Sequence, residues 1–117
     1  MGKVTIYHNP RCSKSRQTLA LIEAAGFEPT VVRYLDTAPD IQTLDSLCRA
    51  LGREPLELMR TKEARFRELG LSAQDDRPRN AWLRLIHENP ILLERPIVIK
   101  DNRVCLGRPP ENVLDIL

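Results

Sequence analysis

The pattern of apolar and polar residues along the chain has two periods, one typical of strands and the other of helices. Short runs rich in valine, isoleucine and tyrosine predict four strands, at residues 3–7, 29–34, 97–100 and 103–106. Only Asp101-Asn102 separates the last two runs, and a two-residue connection of this kind predicts a β-hairpin in which Asn102 tolerates a positive φ. Two single strands early in the chain and one late hairpin therefore account for the β-structure.

In other segments the apolar residues recur every three or four positions, which predicts helices at residues 13–25, 41–51, 62–69 and 80–88. A short helical turn is expected at Pro55–Met59, and a final helix is expected to start at Pro109-Pro110. Asp40 suits the N-cap of the second helix, and Gly26 and Gly52 suit the ends of the first and second. The residues expected to face the core are Leu19 and Ile22, then Leu44, Leu47, Cys48 and Leu51, then Ala81, Trp82, Leu85 and Ile86, and finally Val113, Leu114 and Leu117.

The elements follow the order β-α-β-α-α-β-β-α, which is that of a thioredoxin-like fold. Such a fold is α/β, with a mixed four-stranded sheet, flanking helices and a helical insertion between the βαβ and ββα units. A right-handed crossover would make the first two strands parallel, with the terminal hairpin antiparallel. Other small α/β arrangements share this order. Because 117 residues suit one core and no linker divides them, we expect a single domain over residues 1–117.

Composition excludes several classes of function. The net charge of +2 gives no support for a nucleic-acid partner. No apolar run approaches a membrane span and no signal segment opens the chain, so we expect a soluble protein of the cytoplasm with no membrane partner. We also expect a monomer. Three widely spaced cysteines form neither a disulfide framework nor a zinc pattern, so no metal is expected.

Cys12 stands out because its surroundings favour a thiolate. It lies in the stretch HNPRCSKSR, between the first strand and the first helix, where free backbone N–H groups and the helix dipole face the sulfur. Arg11, Lys14 and Arg16 add positive charge, Ser15 adds a hydroxyl, and His8 adds a hydrogen bond or a further charge. The same loop should attract a tetrahedral oxyanion.

Two related types of site are excluded by spacing. A phosphatase-type loop needs Cys-x5-Arg, which would place arginine where Thr18 stands. A dithiol oxidoreductase needs a second cysteine where Ser15 stands, so Cys12 needs an external thiol for its regeneration. Cys48 and Cys105 are the only internal candidates for that task, and their places in apolar patterns favour core packing instead.

Taken together, these residues resemble the glutaredoxin-coupled arsenate reductase family, the ArsC-like branch of the thioredoxin-like fold. The stretches that carry the resemblance are IYHNPRCSKSRQTL, LMRTKE, ERPIV and LGRPPENVLDIL, which span essentially the whole chain in family-like order. The resemblance implies that Cys12 attacks arsenate, that His8 and Ser15 lower its pKa, and that Pro96 is the cis-proline facing the cysteine.

The resemblance also implies an oxyanion site and two thiol partners. Arg60, Arg95 and Arg108 are similar to the arginines that hold the oxyanion, and three planar guanidinium groups suit a tetrahedral ligand of charge −2. Glutathione would serve as co-substrate, with no bound cofactor, and glutaredoxin would clear the resulting mixed disulfide on Cys12.

One departure keeps two alternatives open. Ser13-Lys14 follows Cys12 where typical reductases have small uncharged residues. A glutathione-dependent thiol oxidoreductase acting on another substrate would share Cys12 but not arsenate. A regulator of the Spx type, which binds RNA polymerase, is less consistent with the serine at position 15.

Overall fold

The computed structural model describes residues 3–117, and its elements follow the predicted order. The strands are β1 (Val4–Tyr7), β2 (Thr30–Val32), β3 (Ile97–Lys100) and β4 (Arg103–Leu106). The α-helices are α1 (Ser13–Ala24), α2 (Ile41–Leu51), α3 (Ala64–Glu68) and α4 (Arg79–Glu88). Segments of 3₁₀ helix lie at Pro55–Leu58, Pro90–Leu92 and Pro110–Asp115.

The four strands form one mixed sheet in the order β2-β1-β3-β4. β1 and β2 are parallel, whereas β3 pairs antiparallel with both β1 and β4. This topology confirms the predicted thioredoxin-like α/β fold, with a mixed four-stranded sheet and flanking helices. No helix in residues 3–117 is long and apolar enough to cross a lipid bilayer.

The chain divides into two compact units. The first unit runs up to Thr37 and resumes at Arg95–Leu117, so it contains the whole sheet, α1 and the terminal 3₁₀ segment. The second unit, Ala38–Glu94, is the predicted helical insertion between the βαβ and ββα parts. The expectation of a single domain over residues 1–117 stays a prediction.

The first unit has a small apolar core between the sheet, α1 and the C-terminal segment. Its buried members are Val4, Ile6, Ile22, Val98, Val113 and Ile116. Leu19 was expected to face this core but is only partly buried, whereas the polar residues Ser15 and Thr18 of the same helix are fully buried. Both hydroxyls have hydrogen bonds, which offset the cost of removing them from water: Thr18 Oγ1 donates to the carbonyl of Lys14 at 2.8 Å.

The last helical segment differs from the prediction in its period. Pro110–Asp115 is 3₁₀ helix, with three residues per turn, so Val113 and Ile116 share one buried face. Leu114 was predicted to point inward on an α-helical period, and it is instead 52% exposed. The prediction for Leu114 was therefore wrong because the helix type was wrong.

In the second unit, α2 has the caps that the sequence predicted. The Asp40 side chain accepts a hydrogen bond from the Thr43 N–H at 2.7 Å, and Gly52 ends the helix at a φ of +66°. In α4 the inward stripe is Trp82, Leu83 and Ile86. Ala81 and Leu85 are only partly buried, because position 86 lies between positions 82 and 83 around the helix, which turns the buried stripe away from positions 81 and 85.

The β3–β4 hairpin has the predicted two-residue turn but not the predicted conformation. Asp101 is the residue with positive φ, at +56°, and not Asn102. Aspartate tolerates the left-handed region as asparagine does, since its short side chain can bond locally to the backbone. The turn composition therefore predicted the hairpin without fixing which residue adopts the positive φ.

Gly107 occupies a position that admits no side chain. An added Cβ would lie 2.6 Å from Thr18 Oγ1 and 2.8 Å from Pro96 Cγ, while the Gly107 N–H donates to the Pro96 carbonyl at 2.9 Å. We therefore expect Gly107→Ala to lower the free energy of unfolding by about 1–3 kcal/mol through overpacking. Denaturant titration measures this loss, and Gly107→Ala combined with Thr18→Ala should recover part of it. Equal stability of Gly107→Ala and the parent chain would contradict the prediction.

Candidate active site

Cys12 lies where β1 passes into α1 and is nearly buried, with 9% of its surface exposed. It is the N-cap residue of α1, with extended backbone angles. Its own N–H donates to the carbonyl of Asn9 at 3.0 Å, which closes the preceding turn. The sulfur therefore sits at the helix N-terminus, as the sequence predicted, where unpaired N–H groups face an anion.

The pKa of Cys12 reflects one influence that raises it and three neighbouring residues that lower it. Burial raises the pKa, whereas the backbone N–H of Ser15, the guanidinium of Arg95 and the backbone N–H of Lys14 lower it. The hydrogen bonds and the charge prevail, so the pKa lies below the ordinary value of a cysteine thiol. A larger fraction of Cys12 is consequently thiolate at neutral pH than in a free cysteine.

The other two cysteines have the opposite chemistry. Burial raises the pKa of Cys48, and burial together with Asp115 raises the pKa of Cys105 to about 11. Both thiols are free, and both stay protonated at neutral pH. The difference comes from donors, because Cys12 has N–H groups and a guanidinium beside it to offset desolvation.

His8 and Ser15 form the buried side of the cysteine loop. His8 Nδ1 and Ser15 Oγ share a hydrogen bond of 2.6 Å, and the Asn9 N–H donates to the same hydroxyl at 3.0 Å. The Ser15 side chain therefore fixes the loop, while its backbone N–H serves the sulfur of Cys12. Burial and the charges of Arg33 and Arg16 lower the pKa of His8, so near neutral pH this ring is uncharged and acts through its hydrogen bond.

Arg16 contacts the loop rather than the sulfur. Its Nη1 donates to the carbonyl of Pro10 at 2.9 Å, and the side chain is exposed. The Arg16 guanidinium thus spans the turn that holds Cys12. Its predicted role in stabilising the thiolate stays a prediction.

Arg95 and Arg108 come together in the first unit. Both precede cis-prolines, at Pro96 and Pro109, and Arg108 Nη1 donates to the carbonyl of Arg95 at 3.2 Å. The Arg95 guanidinium lowers the pKa of Cys12 through its charge and a hydrogen bond, while its Nε and Nη1 atoms are buried and have no hydrogen-bond partner among residues 3–117. These two donors can serve a ligand beside the thiolate.

The third predicted arginine, Arg60, belongs to the second unit. Its guanidinium forms ion pairs with Glu63 at 2.6 Å and with Glu94 at 3.6 Å. These carboxylates partly offset its charge within that unit. The role of Arg60 in holding an oxyanion stays a prediction.

Arg33 was not among the predicted site residues. It follows β2 directly, and its charge acts on His8, which follows β1. The His8 N–H donates to the carbonyl of Val32 at 2.8 Å. Because β1 and β2 are parallel, their carboxyl ends meet at one edge of the sheet. Applied to the sequence, the same rule indicates Arg33, because this basic residue follows the second strand and should lie near the loop that follows the first.

No metal-binding group of three or more histidine, cysteine, aspartate or glutamate side chains occurs within residues 3–117. The groups that the described site offers around Cys12 are a thiolate, backbone N–H groups and a guanidinium group. Such a set binds and attacks an electrophilic oxyanion or a disulfide.

The chain is similar along its length to several known proteins. The uncharacterized protein YfgD of Escherichia coli strain K12 is 48% identical over 116 residues, which are 98% of this chain and 97% of that protein. An arsenate reductase of Neisseria meningitidis serogroup A is 43% identical over the full length of both chains. The solved structure of an arsenate reductase from Vibrio cholerae has a TM-score of 0.91 at 46% identity, covering 99% of this chain and 98% of that one.

The family model described as the ArsC family matches residues 7–116, from the end of β1 to the last buried residue of the core. The match includes Cys12, both Arg-Pro turns and the helical insertion. The resemblance inferred from the sequence is thereby confirmed, and this chain belongs to the ArsC family.

Proposed function

We propose that this protein is an oxidoreductase that reduces arsenate to arsenite, with Cys12 as the single nucleophilic cysteine and glutathione and glutaredoxin as thiol partners. The observation that carries the proposal is the pairing of Cys12 with Arg95. The pKa of Cys12 is lowered by the Arg95 guanidinium, whose Nε and Nη1 atoms are buried and find no partner in the described part of the chain. Relatives named arsenate reductase across the full length of the chain support the choice of oxyanion.

The proposed reaction begins with the Cys12 thiolate. Its sulfur forms a bond to the arsenic atom of arsenate and displaces one oxygen, which leaves as water after protonation. Arg95 would hold the oxygens that carry the negative charge, because a buried guanidinium donates to an oxyanion in a planar fork. Arg60 and Arg108 keep the oxyanion-binding roles that the family resemblance implies.

A glutathione thiol completes the reduction. The two electrons that convert As(V) to As(III) come from the sulfurs of Cys12 and glutathione, which end joined as a mixed disulfide while arsenite leaves. The raised pKa values of Cys48 and Cys105 make them poor internal thiols for resolving that disulfide. An external dithiol or thiol system, for which we propose glutaredoxin with a second glutathione, would then restore Cys12. We further propose that the protein works as a cytoplasmic monomer.

The test is a coupled assay with the purified chain. Arsenate, glutathione, glutaredoxin and glutathione reductase should together support arsenate-dependent oxidation of NADPH, and omission of any one component should stop it. A Cys12 that reacts rapidly with a thiol reagent but supports no turnover would refute arsenate reduction and favour the alternative thiol oxidoreductase. That alternative is supported by the lowered pKa of Cys12, because the groups that lower it belong to the protein and would favour attack on other substrates too.

A further inference from the structure

A cleft beside the cysteine loop is not used by the proposed oxyanion site. It has a volume of about 240 Å³, and its lining residues are His8, Asn9, Pro10, Arg11, Arg33, Leu35 and Asp36, all in the first unit. One wall is the loop that precedes Cys12, and the other is the chain that leaves β2. The carbonyl of Asn9 accepts the N–H of Cys12 at 3.0 Å, so the loop that forms this wall is hydrogen-bonded to the backbone of the cysteine.

The charges around this cleft suit a small zwitterion. The guanidinium of Arg33 forms a 3.4 Å ion pair with Asp36, and both side chains are more than 60% exposed, so the pair is weak and open to exchange. Arg11 is also exposed and has no side-chain ion pair within residues 3–117. A ligand carboxylate can therefore contact arginine while a ligand ammonium group contacts Asp36.

The uncharged parts of the cleft fit the same kind of ligand. Leu35 is 40% exposed and offers apolar contact to methylene groups. The His8 ring, buried and of lowered pKa, adds no competing positive charge near neutral pH. The volume lies below the roughly 300–1,000 Å³ of pockets that enclose a whole small ligand, so this cleft holds one end of a longer molecule.

We propose that this cleft binds the α-amino-acid end of the thiol co-substrate, a peptide thiol with free carboxylate and ammonium groups. This inference rests on the proposed function and identifies where its second substrate docks. A tripeptide extends about 10 Å, so its central thiol lies about 5 Å from the end held in the cleft. Arg11 lines the cleft and directly precedes Cys12 in the chain, which suits so short a reach. Arg11 and Arg33 are positioning residues for the thiol and are separate from Arg95.

The experiment uses disulfides and needs no arsenate. The Cys12 thiolate attacks one sulfur of a disulfide, the old S–S bond breaks, a mixed disulfide forms on Cys12, and the other half leaves as a thiolate. Rates of Cys12 modification are measured by intact-protein mass spectrometry with glutathione disulfide, which carries the charged ends, and with bis(2-hydroxyethyl) disulfide, which carries none. The ratio of the two rates removes any effect of a variant on the reactivity of Cys12 itself.

We expect the Arg11→Ala/Arg33→Ala double variant to lower that ratio about tenfold, and the lysine counterparts to restore part of it. Raised salt should lower the ratio for the parent chain and leave the double variant nearly unchanged. Arg103→Ala, an exposed arginine of β4 in the same unit, is the matched control and should keep the parent ratio.

A double variant with the parent ratio would overturn the proposal, as would a parent chain that reacts with neither disulfide. These outcomes are separate from the failure of arsenate turnover. A chain that reduces arsenate but shows no charge-dependent ratio has the proposed function without this docking cleft. A chain with the ratio but no arsenate turnover has the cleft and a different oxidant.

Discussion

Cys12→Ser is expected to abolish arsenate-dependent NADPH oxidation, a loss of at least about 10³-fold. Serine preserves the size and the helix N-cap position, but its hydroxyl does not ionise near neutral pH, so no nucleophile is present to bond to arsenic. The measurement is the coupled assay, with loss of the thiol confirmed by mass spectrometry after alkylation. The folded state should be retained, because Cys12 makes no side-chain cap hydrogen bond.

The matched controls for this result are the other two cysteines. Cys48→Ala and Cys105→Ala remove thiols whose pKa is raised by burial, so both variants should keep turnover close to that of the parent chain. Loss of turnover in either variant, with the fold intact, would show that a second thiol takes part in the cycle. In that event the single-cysteine mechanism would be wrong.

Arg95→Ala is expected to lower kcat/KM for arsenate by about 10²- to 10³-fold, the cost of removing one preorganised donor from an oxyanion site. The variant should also raise the pKa of Cys12, because it removes a positive charge and a hydrogen bond from the thiolate. With a higher pKa, the fraction of Cys12 that is thiolate falls at any pH below that pKa. The pH profile of Cys12 alkylation should consequently move to higher pH.

These two effects separate the roles of Arg95. Arg95→Lys keeps the charge but not the planar fork, so it should restore most of the alkylation profile and only part of the arsenate turnover. Arg103→Ala is again the control for loss of an arginine from the first unit. An Arg95→Ala chain with normal alkylation and normal kcat/KM would contradict both the contact with Cys12 and the proposed oxyanion site.

Local chemistry was predictable from the sequence where a single rule applied. Asp40 and Gly52 cap α2 as expected, since the Asp40 side chain accepts a hydrogen bond from a free N–H and glycine adopts a positive φ without strain. The helix N-terminus beside Cys12 was predictable in the same way, and the backbone N–H groups of Ser15 and Lys14 lower the pKa of this thiol. The positive charge that lowers it comes from the distant Arg95, whereas the sequence pointed to the basic residues next to Cys12. The prediction for Leu114 was wrong because its segment is 3₁₀ helix and has a shorter period. The prediction for Ala81 was wrong because α4 buries the face that carries Leu83 instead.

Long-range relations were not predictable from periodicity. The contact of Arg95 with Cys12 joins residues that are far apart in the chain, and it depends on β3 pairing with β1. The resemblance to a family supplied Arg95 as a site residue, whereas spacing alone supplied no partner for it. The effect of Arg33 on His8 likewise depends on the parallel pairing of β2 with β1.

The unpaired guanidinium atoms of Arg95 also set a trade-off between stability and activity. A buried donor without a partner costs about 1–3 kcal/mol, a sizeable share of the roughly 5–15 kcal/mol that holds a domain folded. The two unpaired donors of Arg95 therefore lower the stability of the fold relative to an apolar residue of similar volume at the same position. Replacing Arg95 by such a residue should therefore raise the thermal stability of the chain, while it removes a charge that lowers the pKa of Cys12 and a donor of the proposed oxyanion site.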